Sequence, residues 1–156
     1  MNPVMALIYR MTGDREVASD LAQETFVTAW EELSHFRGQS SVKSWVWRIA
    51  ANRSLNYIES AGRRRKHEIN DISADAAAPG NADRNLEQEE LRRGVLSFMG
   101  TLPPQQRLVF ELRFYQQFSF EEISQAMGRA VGTVKTLYRE AVSKLRVHAQ
   151  QAGWRA

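Results

Sequence analysis

Apolar residues recur at intervals of three and four along most of this chain, and that spacing restricts it to helices. Ala18, Leu21, Ala22, Phe26, Ala29 and Leu33 share one face of a helix over residues 15–33. Val42, Trp45, Val46, Ile49, Ala50 and Leu55 do the same on a helix that starts after a capping Ser41 and reaches about residue 60. Alternating β-branched runs and Asn-Gly hairpin turns are absent, so no strand is expected. The breaks are equally plain. Thr12-Gly13-Asp14 closes a short apolar helix over residues 4–11, and Ala61-Gly62 is placed to end the helix before it. Gly100 closes a helix that begins near Leu86. Pro103-Pro104 then opens the helix carrying Leu108, Val109, Leu112 and Phe114. The reading is an all-α fold.

Residues 67–85 interrupt the pattern. They hold Asp, Ala and Asn with Pro79 and Gly80 and no aromatic side chain, a composition suited to a linker. The chain of 156 residues therefore divides into two small helical domains, 1–66 and 86–156, joined by a flexible acidic segment. Charge follows the same division. Residues 1–35 carry 2 bases and 6 acids, and residues 36–66 carry 8 bases and 1 acid. Residues 67–91 carry 1 base and 7 acids, and residues 92–156 carry 10 bases and 4 acids. Two basic blocks separated by an acidic one suggest two regions that touch a polyanion.

The second domain is expected to have four helices in a winged-helix-like arrangement. Its last two helices carry the clearest motif. Ser119-Phe120-Glu121-Glu122 is a capping box, in which serine precedes glutamate by three residues. A short helix to Met127, the turn Gly128-Arg129-Ala130 and a longer helix over residues 131–150 form a helix-turn-helix. Thr133, Lys135, Thr136 and Arg139 fall on the polar side of the longer helix as candidates for base and phosphate contact. Arg129 is a further phosphate candidate. In the first domain Lys43, Trp47, Arg48, Asn52, Arg53 and Asn56, followed by Arg63, Arg64, Arg65 and Lys66, combine cations for phosphates with aromatic and amide groups for unpaired bases. Trp45 is expected in the core and Trp47, pointing elsewhere on the helix, at the surface. Asp20, Gln23 and Glu24 form an acidic and amide face, which repels phosphate and suits a protein partner.

Composition excludes other chemistry. With no cysteine the chain can form neither disulfides nor thiolate metal sites, which fits a reducing compartment. His35, His67 and His148 lack ligand spacing, and no HExxH, P-loop or nucleophile elbow is present, so no catalytic residue, metal, cofactor or small-molecule substrate is expected. No apolar run is long enough for membrane insertion, and a cytoplasmic location is expected.

Four segments, taken in order, resemble one family. Asp20-Leu21-Ala22-Gln23-Glu24-Thr25-Phe26 resembles the D-x-x-Q-E-x-F signature of extracytoplasmic-function (ECF) sigma factors. Phe36-Arg37-Gly38-Gln39-Ser40-Ser41, with Trp45, Arg48-Ile49-Ala50 and Asn52, is similar to its F-R-G…W-L-x-R-I-A-x-N segment. Leu102-Pro103-Pro104-Gln105-Gln106-Arg107 resembles the start of its C-terminal domain, and Phe120-Glu121-Glu122-Ile123 with Val131-Gly132-Thr133-Val134-Lys135 its helix-turn-helix.

The resemblance implies a transcription initiation factor. Its first domain, region 2, would bind the clamp of RNA polymerase core through Asp20, Gln23 and Glu24 and would melt and hold the −10 element. The loop at 36–41 would lead to the pocket for a flipped base. Its second domain, region 4, would sit on the polymerase flap and read the −35 element. An anti-sigma protein is an implied further partner. Two departures stand out. The family carries roughly a further helix of chain before residues 7–11, so the first domain is expected to be trimmed or its start misassigned. The family commonly has arginine where Glu140 stands, and that glutamate is expected either to face DNA or to pair with Lys144. An ordinary helix-turn-helix regulator, the other reading, accounts for residues 119–147 but not for the tryptophan-rich basic segment or for Asp20, Gln23 and Glu24.

Overall fold

The computed structural model describes residues 2–65 and 85–154. Seven α-helices account for most of them: α1 (Pro3–Thr12), α2 (Arg15–Glu32), α3 (Val42–Arg65), α4 (Leu86–Thr101), α5 (Pro104–Phe110), α6 (Phe120–Met127) and α7 (Val131–Ala152). A 3-10 turn, Leu33–His35, follows α2, and a π-helical turn, Glu111–Tyr115, follows α5. No strand occurs among the described residues. The linker expected over residues 67–85 lies outside them, apart from Asn85, which caps α4.

Local signals set the ends. Asn2 and Asp14 accept from the backbones of Met5 and Val17 and cap α1 and α2. Gly13 ends α1 at φ 72°, a left-handed conformation that favours glycine. Ser41 Oγ accepts from Ser44 N at 3.0 Å and starts α3. Ser119 and Glu122 complete the capping box of α6 in both directions. Two stop signals fail. Helix α3 does not end at Ala61-Gly62 but continues to Arg65, and α4 passes through Gly100 to end at Thr101. A single helical glycine costs only about 1 kcal/mol, too little to stop a helix by itself.

Helices α1, α2 and α3 pack together, and α4, α5, α6 and α7 surround the second half. The halves are not separate. Leu7, Ile8 and Met11 of α1 share one buried cluster with Trp47 and Ala51 of α3 and with Leu108, Leu112, Ile123 and Val134 of the second half. A smaller cluster holds Phe98, Met99, Leu102, Phe110 and Ala141. Beside it Trp154 turns back over His148 and lies against Gly94, where a β-carbon would collide with the indole.

Polar contacts cross the same boundary. The π turn adds a residue to the helical ladder, with Gln116 N donating to Glu111 O at 3.2 Å. It presents Glu111, 0% exposed, toward α1. There the Arg10 guanidinium donates through Nε and Nη2 to both carboxylate oxygens at 2.7 and 2.6 Å. Burial pushes the Glu111 carboxyl up from its ordinary range, while Arg10 and Gln116 act against that shift. Arg10 also lies 4.1 Å over the Tyr115 ring. Arg107 donates to Met11 O in α1 and to Gly100 O and Leu102 O in its own half. Phe114, expected on the core face, is instead exposed at the edge of the π turn, stacked on Phe110.

Arg10→Ala would leave a buried carboxylate without its cation, a loss of about 3–5 kcal/mol. The two halves can escape that loss by parting. Small-angle scattering is therefore expected to show a more extended chain for Arg10→Ala and a compact one for the double replacement Arg10→Met with Glu111→Leu.

Candidate nucleic-acid and protein interfaces

The buried side of α2 is a row of small residues, Ala18, Ala22, Thr25 and Ala29, at spacings of four, three and four. Small side chains let α1 and α3 approach closely, and they turn the larger residues outward. Phe26 and Leu33, expected on the core face, are exposed, and with Val27 and Trp30 they form an apolar stripe. Trp30 is 80% exposed. Asp20, Gln23 and Glu24 are exposed beside this stripe, around a shallow depression shared with Val27, Thr28 and Arg53. Arg53, expected to face nucleic acid, is held here instead. Its Nη1 donates to Glu24 Oε2 at 3.0 Å and its Nη2 to Thr28 Oγ1. The small-residue row was available as a signal, since small residues at i, i+4, i+7 and i+11 can define the packed side of a helix.

On α3 the two tryptophans have exchanged their expected places. Trp47 is 4% exposed, inside the main cluster. Trp45 is half-buried, its ring 5.1 Å from that of Phe36. The aromatic in the loop provides the partner that a core assignment of Trp45 overlooked. Lys43, Arg48, Asn52 and Asn56 are exposed, the last three in one row at spacings of four. Helix α3 carries Arg63, Arg64 and Arg65 in its last turn. Lys66 lies outside the described residues.

Phe36, Arg37, Trp45 and Arg48 line a cavity of about 750 Å³ whose other wall is Phe118, Glu122 and Gln125 of the second half. Ser44 Oγ donates to Glu122 Oε2 at 3.4 Å across it. The backbone N–H of Ser119 at the capping box holds the Glu122 carboxyl below its ordinary range, with the nearby Lys43 charge adding to the effect. Helix α6 thus packs beside the loop and touches the start of α3, leaving residues 37–43 exposed.

The helix-turn-helix consists of α6, a turn with Gly128 at φ 65°, and α7. Val134 and Ala141 are buried under α7, while Thr133, Lys135, Thr136 and Arg139 are exposed on its first three turns. Thr136 Oγ1 donates back to Gly132 O at 3.0 Å. Arg129 is exposed in the turn, its N–H donating to Ser124 O at 3.2 Å. Glu140 is bonded to neither Lys144 nor a basic neighbour directly. Gln106 of α5 stands between them: its Nε2 donates to Glu140 Oε2 at 2.8 Å, and its Oε1 accepts from Lys144 Nζ at 2.9 Å. Sequence spacing pointed to an i, i+4 pair and missed the bridge, because Gln106 lies 34 residues before Glu140.

Among the described residues no cluster of three or more His, Asp or Glu side chains could hold a metal ion. None of the described helices is long and apolar enough to cross a membrane.

Comparisons with known proteins divide the chain at matching places. Residues 1–64 match the family model for sigma-70 region 2, and residues 98–147 that for sigma-70 region 4. The chain is 32% identical over 154 residues to the RNA polymerase sigma-H factor of Pseudomonas aeruginosa, covering 90% of this chain and 79% of that protein. It is 33% identical over 141 residues to the ECF RNA polymerase sigma-E factor of Escherichia coli, covering 85% and 73%. The match to the ECF sigma factor SigG of Mycobacterium tuberculosis, at 31% identity, spans 91% of this chain but 44% of that protein. Two solved structures share the fold. One is the sigma factor RpoE of Bartonella quintana in complex with the anti-sigma factor NepR (TM-score 0.77, 22% identity, 94% and 89% covered). The other is CnrH in complex with the cytosolic domain of CnrY (TM-score 0.67, 24% identity, 95% and 81% covered).

The exchange of the tryptophans has a direct test. Trp47→Ala is expected to lower the unfolding free energy by about 3–5 kcal/mol, as for a buried aromatic, and Trp45→Ala by well under half as much. Urea denaturation of both variants measures the difference.

Proposed function

Because the chain belongs to the sigma-70 family of transcription initiation factors, with ECF relatives, and so directs RNA polymerase to promoters, we propose that its faces divide that work. The α2 face, Asp20, Gln23 and Glu24 with the stripe through Trp30, binds the clamp of the polymerase core. Exposed aromatics carry much of the affinity at such interfaces, and the flanking carboxylates keep DNA off this side. The row of Arg48, Asn52 and Asn56, with Lys43 before it and Arg63, Arg64, Arg65 and Lys66 beyond, holds the opened −10 strand. Cations take the phosphates and amides the base edges. The cavity beside Phe36 and Trp45 accepts an unpaired base, which needs aromatic surface to replace lost stacking. Thr133, Lys135, Thr136 and Arg139, with Arg129 in the turn, read the −35 element in the major groove while the second half rests on the polymerase flap. The domain limits 1–66 and 86–156 follow from this division.

The observation that carries the reading is the segregation of surfaces: an acidic and apolar face on α2, and a polar and basic face on α3 and α7. The chain performs no chemistry of its own in this role and works in the cytoplasm, where the polymerase is. Because the structural neighbours RpoE and CnrH are held by the partners named with them, an anti-sigma protein is the expected regulator. With α6 forming the other wall of the cavity beside Phe36 and Trp45, the closed arrangement narrows the way of an unpaired base into it, while Lys43, Arg48, Asn52 and Asn56 stay exposed. The halves must part for both elements to be read at once.

Run-off transcription with purified core polymerase on a promoter library is expected to give transcripts that depend on this chain and share a −35/−10 pair. Duplex binding without any association with core would contradict the reading. Trp30→Ala, at a site too exposed to affect folding, is expected to weaken core binding about tenfold or more. Equal affinity would remove α2 from the polymerase interface.

A further inference from the structure

Glu140 is the one acidic side chain on the exposed side of α7, among Lys135, Thr136, Arg139 and Lys144. A free carboxylate there would face the phosphates of any duplex that the helix enters, and like charges repel. It is not free. The nearly buried Gln106 offers its amide N–H to Glu140 and its amide oxygen to Lys144, at 2.8 and 2.9 Å. An amide suits that bridge because one end donates and the other accepts, so a single side chain satisfies an anion and a cation together. Thr136, Glu140 and Lys144 follow one another at spacings of four along one stripe of α7, where the Gln106 bonds tie the last two toward α5, while Arg139 lies roughly 100° round the helix.

We propose that Gln106 is a positioning residue for promoter reading: it draws the Glu140 carboxylate toward α5, so that Lys135, Thr136 and Arg139 meet the −35 element without an opposing charge. This rests on α7 being the −35 reader. Gln106 itself touches no DNA. It acts by deciding where one negative charge sits, and the same bridge keeps Lys144 beside that charge rather than extended toward phosphate.

The test is transcription with core polymerase, over a range of salt concentrations, from a promoter that needs its −35 element, using the full chain. Gln106→Ala is expected to lower transcription about tenfold, uniformly across −35 sequences, because the freed carboxylate acts on the backbone rather than on one base. Adding Glu140→Gln to Gln106→Ala is expected to restore activity to within about twofold, as removing a repelling charge would. A merely structural loss at Gln106 would not be rescued by that second change. Glu140→Gln alone, which should leave the fold intact, is expected to leave the preferred −35 sequence unchanged. A changed base preference in that variant would mean that Glu140 reads DNA directly and would overturn the proposal. So would a double variant no better than Gln106→Ala, or a Gln106→Ala variant as active as the original chain. If the unaltered chain ignores the −35 element, the reading of α7 fails first, and the proposal falls with it.

Discussion

The buried ion pair between Arg10 and Glu111 is the contact on which the arrangement of the two halves depends. A carboxylate at zero exposure is tolerated only if a cation meets both oxygens, and α1 supplies that cation from 101 residues away. The pair therefore requires α1 to remain docked against the π turn. Arg107 reinforces the same joint by donating to the last turn of α1. Burial lowers the Arg107 pKa from its usual value, a sign of how far this guanidinium has been withdrawn from water. Apolar contacts could hold the halves together in several registers. Two charged side chains with fixed donor geometry favour one.

That joint has consequences for function. It brings the capping box of α6 against Ser44 at the start of α3, beside the loop at 36–41, and leaves the α2 face and the exposed side of α7 uncovered. In this state the α2 face is open, and only the proposed base cavity beside Phe36 and Trp45 is narrowed by α6. A buried ion pair suits such a joint because its net contribution is small when it is made and its loss is costly when only one partner is removed. Water can reach both partners together once the halves part.

Much of this was legible in the sequence. Helical spacing, caps and the glycine turns located six of the seven helices closely, because each signal acts within a few residues of its effect. Four short motifs gave the family. The errors arise where packing or a distant partner overrides the local pattern. Phe26, Leu33, Val42 and Phe114 were assigned inward by their helical spacing, yet small residues decide the packed side of α2, Val42 stands exposed as the first residue of α3, and a π turn changes the phase after α5. Trp45 and Trp47 exchanged places because each depends on distant partners, Phe36 for one and the joined core for the other. Arg53 was expected at nucleic acid, and Glu140 to face DNA or pair with Lys144, whereas Glu24 and Gln106 hold them from other helices. The Arg10–Glu111 pair had no sequence signal at all, since nothing local marks two charges that meet only when both halves fold together.

The parting of the halves on promoter engagement is the claim to test first. The chain has no cysteine, so single cysteines placed at the exposed positions Glu59 on α3 and Arg146 on α7 can carry a specific pair of spin labels. Distance measurement by electron resonance should give one compact distribution for the free chain. With core polymerase and a promoter that yields transcript, that distribution should move to clearly longer distances. An initiation complex that makes transcript while keeping the free-chain distance would contradict the account, because the proposed base cavity would then be working with α6 still forming its wall.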